Sequence, residues 1–263
     1  MELQRYRPSE RYLGKAEQYS RYRPSYPLEA LRALRVDVGV PGGEVADVGS
    51  GTGIFSQLLL DAGFGVFAVE PNADMRRVAE AQLGVREGFV SVDGTAEATT
   101  LADASVDVVA CAQAFHWFAI ERVVPEFRRI LRPGGVVCLI WNNQRFGTDV
   151  FHREYEEILS AGCPDYTGFD LTSISYTSNK LQQLFGAHRV TQYPFDNRQD
   201  LTLDGFQGRI SSVSYCPPPD TPAYATLMRE VEALFSRHQC EGRVQIRYDV
   251  MMYCIRLEPR PRP

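Results

Sequence analysis

The sequence predicts an α/β fold, a parallel sheet with helices packed on it, and three observations carry that reading. Strand-like apolar runs alternate with helix-period segments through the first 145 residues, an order that calls for right-handed crossovers. The strand at 45–49 leads into a helix through a loop with glycine at 49, 51 and 53. Further on, Ile120, Val123, Val124, Phe127, Ile130 and Leu131 recur at helical spacing and form one apolar stripe.

Strands are expected near 45–49, 66–70, 89–92, 106–112 and 136–142, with a helix at Leu28–Leu34 ahead of the first. Pro125 interrupts the apolar stripe and predicts a kink or a late start, and Arg132-Pro-Gly-Gly135 stops that helix with turn residues. Beyond Trp141, helices are expected at 149–160 and 179–185, then a strand at 188–195. Two more helices, near 201–213 and 222–238, flank Pro217–Pro219, and the alternating run at 243–257 reads as the final strand. The proline-rich end, Glu258–Pro263, is expected to be a flexible tail. Arg-Tyr-Arg-Pro-Ser occurs at 5–9 and again at 21–25, too short a unit for a repeat architecture.

The glycine loop sets the chemistry. Gly49, Gly51 and Gly53 remove the Cβ atoms that would hold a ligand off the backbone, and they permit positive φ. The helix that follows turns its unpaired N–H groups toward the loop. A dinucleotide fingerprint needs glycine at relative positions 1, 3 and 6, and the sixth position counted from Gly49 is Ile54. Here Asp47 stands two residues ahead of the first glycine, and the second strand ends in Glu70, 17 residues beyond Gly53. A carboxylate at that strand tip can accept both hydroxyls of a ribose. The combination describes a site for a nucleoside without a pyrophosphate and disfavours a nicotinamide-dependent oxidoreductase.

Asp47-Val-Gly-Ser-Gly-Thr-Gly53 resembles the first motif of the class I S-adenosylmethionine (SAM)-dependent methyltransferases, and Val69-Glu70-Pro71 resembles their second. Asp93-Gly-Thr-Ala-Glu97 is similar to the segment that passes the adenine, and 107–118 resembles the fourth strand with its substrate-facing loop. The run 129–141 resembles the family's turn and fifth strand. Within the class, Tyr19–Pro27, Phe115–Phe118 and Trp141–Asn143 resemble the methyltransferase type 11 group that includes trans-aconitate methyltransferase-like proteins. The likeness covers residues 15–160 well and the rest loosely. It implies a Rossmann-like, doubly wound, seven-stranded sheet, mostly parallel, with a C-terminal antiparallel hairpin and inserted helices as a substrate cover.

The resemblance also implies a division of a single domain. Residues 1–40 would be an amino-terminal lid and helix, 41–145 the cofactor-binding core, 146–242 a helical cover with the sixth strand, and 243–257 the last strand, before the 258–263 tail. SAM would be held by Tyr19, Arg23, Asp47, Gly49, Gly51 and Gly53, by Glu70, and by Thr95, Ala96, Glu97 and Gln113. Tyr19 and Arg23 would act as a lid, with Arg23 clamping the methionine carboxylate.

Methyl transfer asks little of a protein, because the sulfonium already activates the methyl group. The acceptor must be aligned and water excluded, and a base is needed only where the acceptor holds its proton at pH 7. His116 lies at the carboxyl end of the fourth strand, where open α/β sheets bind ligands, and an ordinary imidazole suits a base. Catalytic base, pocket wall and structural residue all stay open for it. Trp117, Trp141 and Asn142 complete the expected substrate pocket, with Asn142 bonding either a substrate oxygen or loop backbone. Arg145 reads as a surface arginine, and His152 and His188 carry no functional weight.

Composition narrows the partners. With 28 basic and 33 acidic residues the net charge is −5, which argues against a nucleic-acid partner. Six cysteines form no Cys-x-x-Cys pair and no metal-ligand spacing with the four histidines, so no metal is expected and the compartment should be reducing. No signal peptide or membrane-length apolar run is evident, which predicts a cytoplasmic protein with no membrane span. The expected activity is methylation of a small organic acceptor, at oxygen before nitrogen. The alternatives are a SAM enzyme of this fold that rearranges or cyclises its substrate, and a non-catalytic SAM-binding protein.

Overall fold

The computed structural model describes residues 14–145, 147, 149–164, 166, 176–186 and 189–257. The first Arg-Tyr-Arg-Pro-Ser copy, His188 and the 258–263 tail lie outside the described residues. Five strands run parallel, β1 (Glu44–Val48), β2 (Gly65–Val69), β3 (Phe89–Val92), β4 (Val106–Ala112) and β5 (Leu131–Gln144). β6 (Val190–Leu201) and β7 (Val244–Arg256) add an antiparallel pair, giving the order β3-β2-β1-β4-β5-β7-β6. The winding reverses between β1 and β4, and that reversal opens a crevice at their carboxyl ends.

Two expectations are corrected here. The turn at Arg132–Gly135 does not precede β5 but falls within it. The register with β4 jumps from Val106↔Leu131 to Val108↔Val136, and the turn residues are absorbed as a bulge. β6 runs well past residue 195, because its whole length pairs with β7, from Val190↔Ile255 to Leu201↔Val244. It is the edge strand, half-buried at alternate residues, which tolerates Pro194 and the polar run Asp196–Gln199.

Helix α1 (Ala16–Tyr22) and α2 (Leu28–Arg32), which widens into a π turn over Ala33–Asp37, precede the sheet. The crossovers are α3 (Ile54–Asp61), α4 (Ala73–Leu83) and α5 (Ile120–Ile130). α5 begins at Ile120, so no late start follows from Pro125; the proline instead leaves the Glu121 carbonyl without its usual amide partner. The stripe read from sequence is the buried face, with Val123, Phe127 and Ile130 fully covered. The remaining helices are α6 (Val150–Gly162), α7 (Ser178–Phe185), α8 (Leu203–Ser211) and α9 (Pro222–His238). Asp149, Thr177, Thr202 and Thr221 cap these four helices through their side-chain oxygens.

Successive strand residues feed opposite faces of the sheet, so Val108 and Ala110 join one apolar cluster while Val109 and Cys111 join another. A third cluster lies between α6, α8, α9 and β7, where Tyr155, Leu159, Phe206, Leu234 and Tyr248 meet. Cys111, Cys138 and Cys254 are buried free thiols, as expected of strand cysteines. Among the described residues no helix is long and apolar enough to cross a membrane, and no cluster of metal-ligating side chains is present.

Candidate functional site

The three loop glycines all have positive φ, +72° at Gly49, +57° at Gly51 and +84° at Gly53, but they serve different ends. A Cβ on Gly49 would lie 2.6 Å from Ala114 Cβ, and one on Gly53 would lie 2.8 Å from Leu83 Cδ1. These two glycines let the loop approach the β4 tip and let α3 pack on α4. A Cβ on Gly51 would meet nothing within 4 Å, so that position faces open space.

Gly49 and Ser50 donate their amides to the Val69 carbonyl, which ties the loop to the tip of β2. Glu70 follows immediately. Its Oε2 accepts from the Gly51 amide at 3.0 Å and its Oε1 from the Asn72 amide at 2.8 Å. Burial lifts this carboxyl above its ordinary pKa, against the pull of those two bonds. Each oxygen retains acceptor capacity. Asn72 caps α4 by accepting from Asp74 and Met75 amides, a signal legible in the sequence as asparagine between a strand tip and a helix.

Glu70, Tyr19, Gly49 and Gly51 line one side of a cavity of about 290 Å³. Thr95, Ala96, Glu97 and Gln113 line it as well, together with Trp117. Sequence reasoning missed Asn72 and Met75, which also border it. Glu97 has a second task, accepting the Ala119 amide at the start of α5. Gln113 is held at φ +57°, a rare conformation for a side-chain-bearing residue, and its Nε2 donates to the Asn142 carbonyl at 2.7 Å.

Arg23, Asp47 and Gly53 do not line this cavity. The Arg23 guanidinium lies 4.7 Å from the Tyr19 ring centre and donates through Nη2 to the Ser212 carbonyl at 3.1 Å. Asp47 is fully buried and accepts at Oδ2 from Ser56 Oγ at 2.6 Å. Burial pushes its carboxyl up to about 7, with the Ser56 bond opposing and nearby Glu70 adding to the rise. Among the described residues, four buried polar atoms in this region have no partner: Arg23 Nε, Asp47 Oδ1, Ser50 Oγ and Thr52 Oγ1. Buried polar atoms are ordinarily satisfied, and a donor on Arg23 and an acceptor on Asp47 left open are of the kinds an amino-acid group would use. With the diol-ready Glu70, the residues present fit an amino-acid-bearing nucleoside.

The acceptor side departs from expectation. His116 is 8% exposed, and its Nδ1 accepts from Trp141 Nε1 at 3.2 Å. That bond puts the ring proton on Nε2 and leaves no free lone pair. Burial alone lowers the imidazole pKa to about 4. The geometry therefore speaks against the catalytic-base role considered for His116, because it has nothing with which to take a proton. Trp141 stacks on Tyr176 with centres 5.3 Å apart, and Phe115 belongs to the apolar core.

Asn142 does not present its amide to the cavity. Nδ2 donates to the Ser25 carbonyl at 3.1 Å and Oδ1 accepts from Asn197 at 3.0 Å, which fastens the amino-terminal segment to the sheet. Of its two expected uses, the structure shows the backbone one. Arg145 bridges Asp249 and Asp196 across the strand ends. His152 is buried between Asp149 and the Arg247 amide, a structural placement.

Comparison with known proteins agrees with this geometry. Residues 46–139 match a family of methyltransferase domains, Methyltransf_11. An uncharacterized methyltransferase of Mycobacterium tuberculosis is 42% identical over 143 residues, covering 54% of this chain and 55% of that protein. The chain thus spans about half the length of these mycobacterial relatives. An uncharacterized methyltransferase-like protein of Schizosaccharomyces pombe is 28% identical over 92% of this chain and 93% of its own length. Among solved structures, a candidate type II methyltransferase from Anaeromyxobacter dehalogenans superposes with a TM-score of 0.61 at 24% identity, over 90% of this chain and 99% of that one. That likeness speaks for the fold. None of these relatives singles out the trans-aconitate-like subgroup.

Proposed function

We propose that this chain is a class I SAM-dependent methyltransferase that transfers a methyl group from SAM to a small organic acceptor, a reading supported by the match of residues 46–139 to a family of methyltransferase domains. The observation that carries this reading is the Glu70 carboxylate on the cavity wall, with acceptor capacity left on both oxygens for a diol, beside the open position at Gly51. SAM supplies a methyl group already activated by a sulfonium. Glu70 would accept the ribose hydroxyls, Arg23 would donate to the methionine carboxylate and Asp47 would accept from the ammonium. Gly51 leaves room for the ligand against the backbone, and Trp117 helps keep water from the reacting centre.

Without a base at His116, the acceptor must present a free lone pair at pH 7. Oxygen acceptors that are already ionised come first and unprotonated nitrogen close behind. Incubation with methyl-labelled SAM and candidate acceptors tests the reaction, since label in a methylated product is expected and none would overturn it. Glu70→Ala should weaken SAM binding about 10- to 150-fold, the loss of one charged hydrogen-bond acceptor. Unchanged calorimetric affinity in that variant would remove Glu70 from the site.

His116→Asn keeps an acceptor for Trp141 and separates wall from base. Its effect should fall mainly on acceptor KM, with kcat changed by less than about 10-fold. A fall in kcat of roughly 10²- to 10⁴-fold at constant SAM affinity would restore the base.

A further inference from the structure

A buried arginine has no acid beside it. Arg209, on α8, is 5% exposed, and the groups that act on its charge are the hydroxyls of Tyr248, Tyr155 and Tyr215. Nε donates to Tyr248 Oη at 3.3 Å, while Nη1 is buried with no partner among the described residues. Tyr248 donates its hydroxyl hydrogen bond to Gln199 Oε1 at 2.6 Å, so it offers Arg209 a lone pair but no charge. Among the described residues no carboxylate pairs with this guanidinium. A buried cation without a counter-charge is strongly unfavourable, and guanidinium cannot escape by releasing its proton.

A second buried donor, Gln144 Nε2, belongs to the same cluster and reaches toward the Tyr155 hydroxyl. Gln144 ends β5 directly across from Tyr248, so the two side chains share a face of the sheet. Arg209 and Gln144 both act on the Tyr155 hydroxyl. An unsatisfied cationic N–H on Arg209 and the Gln144 amide, which meets only a neutral hydroxyl, converge where no acceptor with negative charge is supplied by the described residues.

Two connections run from the cluster toward the cavity. Gln144 stands two residues, about 7 Å, beyond Asn142, whose carbonyl is held by the cavity-lining Gln113. One helical turn beyond Arg209, the Ser212 carbonyl receives Arg23. We propose that Arg209 and Gln144 form an oxyanion subsite of the acceptor pocket, so that the methyl acceptor carries a carboxylate or phosphate group anchored there. This rests on the methyltransferase reading for the identity of the ligand as acceptor, and on the open Arg209 donor, buried without a counter-charge, for its charge. The anion completes the hydrogen bonding of Arg209 and neutralises it, and the pocket thereby discriminates against uncharged analogues, which leave a buried cation unpaired.

The test uses the full chain, with and without S-adenosylhomocysteine, and three probes: benzoate, phenyl phosphate and uncharged benzamide. Benzoate or phenyl phosphate should raise the melting temperature and give a calorimetric isotherm, and benzamide should do neither. Whichever anion binds distinguishes a carboxylate from a phosphate anchor. Arg209→Met should weaken that anion about 10- to 150-fold while S-adenosylhomocysteine affinity stays within about twofold. Should Arg209→Met fail to fold, Gln144→Leu decides, with a smaller weakening expected and unchanged anion affinity overturning the subsite. Failure of both anions to bind wild-type protein, or equal binding to wild type and Arg209→Met, would also overturn it. If anions bind through Arg209 while S-adenosylhomocysteine does not bind at all, the methyltransferase reading falls and the subsite stands.

Discussion

Gly51→Val is expected to abolish measurable SAM binding while the protein stays folded. Gly51 sits at φ +57°, where a β-branched residue is strained by about 1–3 kcal/mol. Its Cβ would meet no protein atom within 4 Å, so the new side chain projects into the cavity rather than into the core. Steric exclusion of ligand is added to the loss of the geometry in which the Gly51 amide bonds Glu70. The combined effect should exceed about 100-fold in affinity, and calorimetry against thermal unfolding reads both halves of the claim. The companion Gly53→Ala puts a Cβ 2.8 Å from Leu83 Cδ1, so it should lower stability and leave affinity per folded molecule nearly intact. Wild-type affinity in Gly51→Val would detach the loop from the cofactor.

Local pattern made the core of this protein legible, and long-range placement made its site only partly so. Alternating strand and helix signals, the α5 stripe and the glycine loop are properties of neighbouring residues, and each appears where the sequence put it. β6 was read short because an edge strand needs only one apolar face, and Asp196, Asn197 and Arg198 obscure the alternation. Roles that depend on partners far along the chain were not legible. Asn142 is occupied by Ser25 and Asn197, which lie 117 and 55 residues away. His116 could be placed at the mouth of the crevice, but not that Trp141, 25 residues on, would take its lone pair. Gln144 and Arg209 belong to no local motif, and only the packing of α8 against β7 brings them together.

Asp47→Asn is expected to stabilise the ligand-free protein at pH 8 and to lose that advantage toward pH 4. The folded carboxyl titrates at about 7 against an ordinary 3.8, so the native state binds a proton that the unfolded chain releases. That proton's contribution to stability is complete below 3.8, declines as pH rises and is gone above about 7. The span corresponds to a swing on the order of 4 kcal/mol. Asparagine keeps an oxygen for Ser56 and carries no charge to desolvate, but it points an N–H where Oδ1 has no partner, at a cost of about 1–3 kcal/mol. The difference between variant and wild type in urea unfolding should therefore change by several kcal/mol, from a less stable variant at pH 4 to a more stable one at pH 8. A SAM ammonium placed against Asp47 favours the ionised carboxylate, so SAM binding near pH 6.5 should release a proton. Calorimetry in buffers of different ionisation enthalpy reads that release, and it should vanish in Asp47→Asn. A stability difference independent of pH, or proton release unchanged in the variant, would show that Asp47 is ionised throughout and does not meet the ligand's charge.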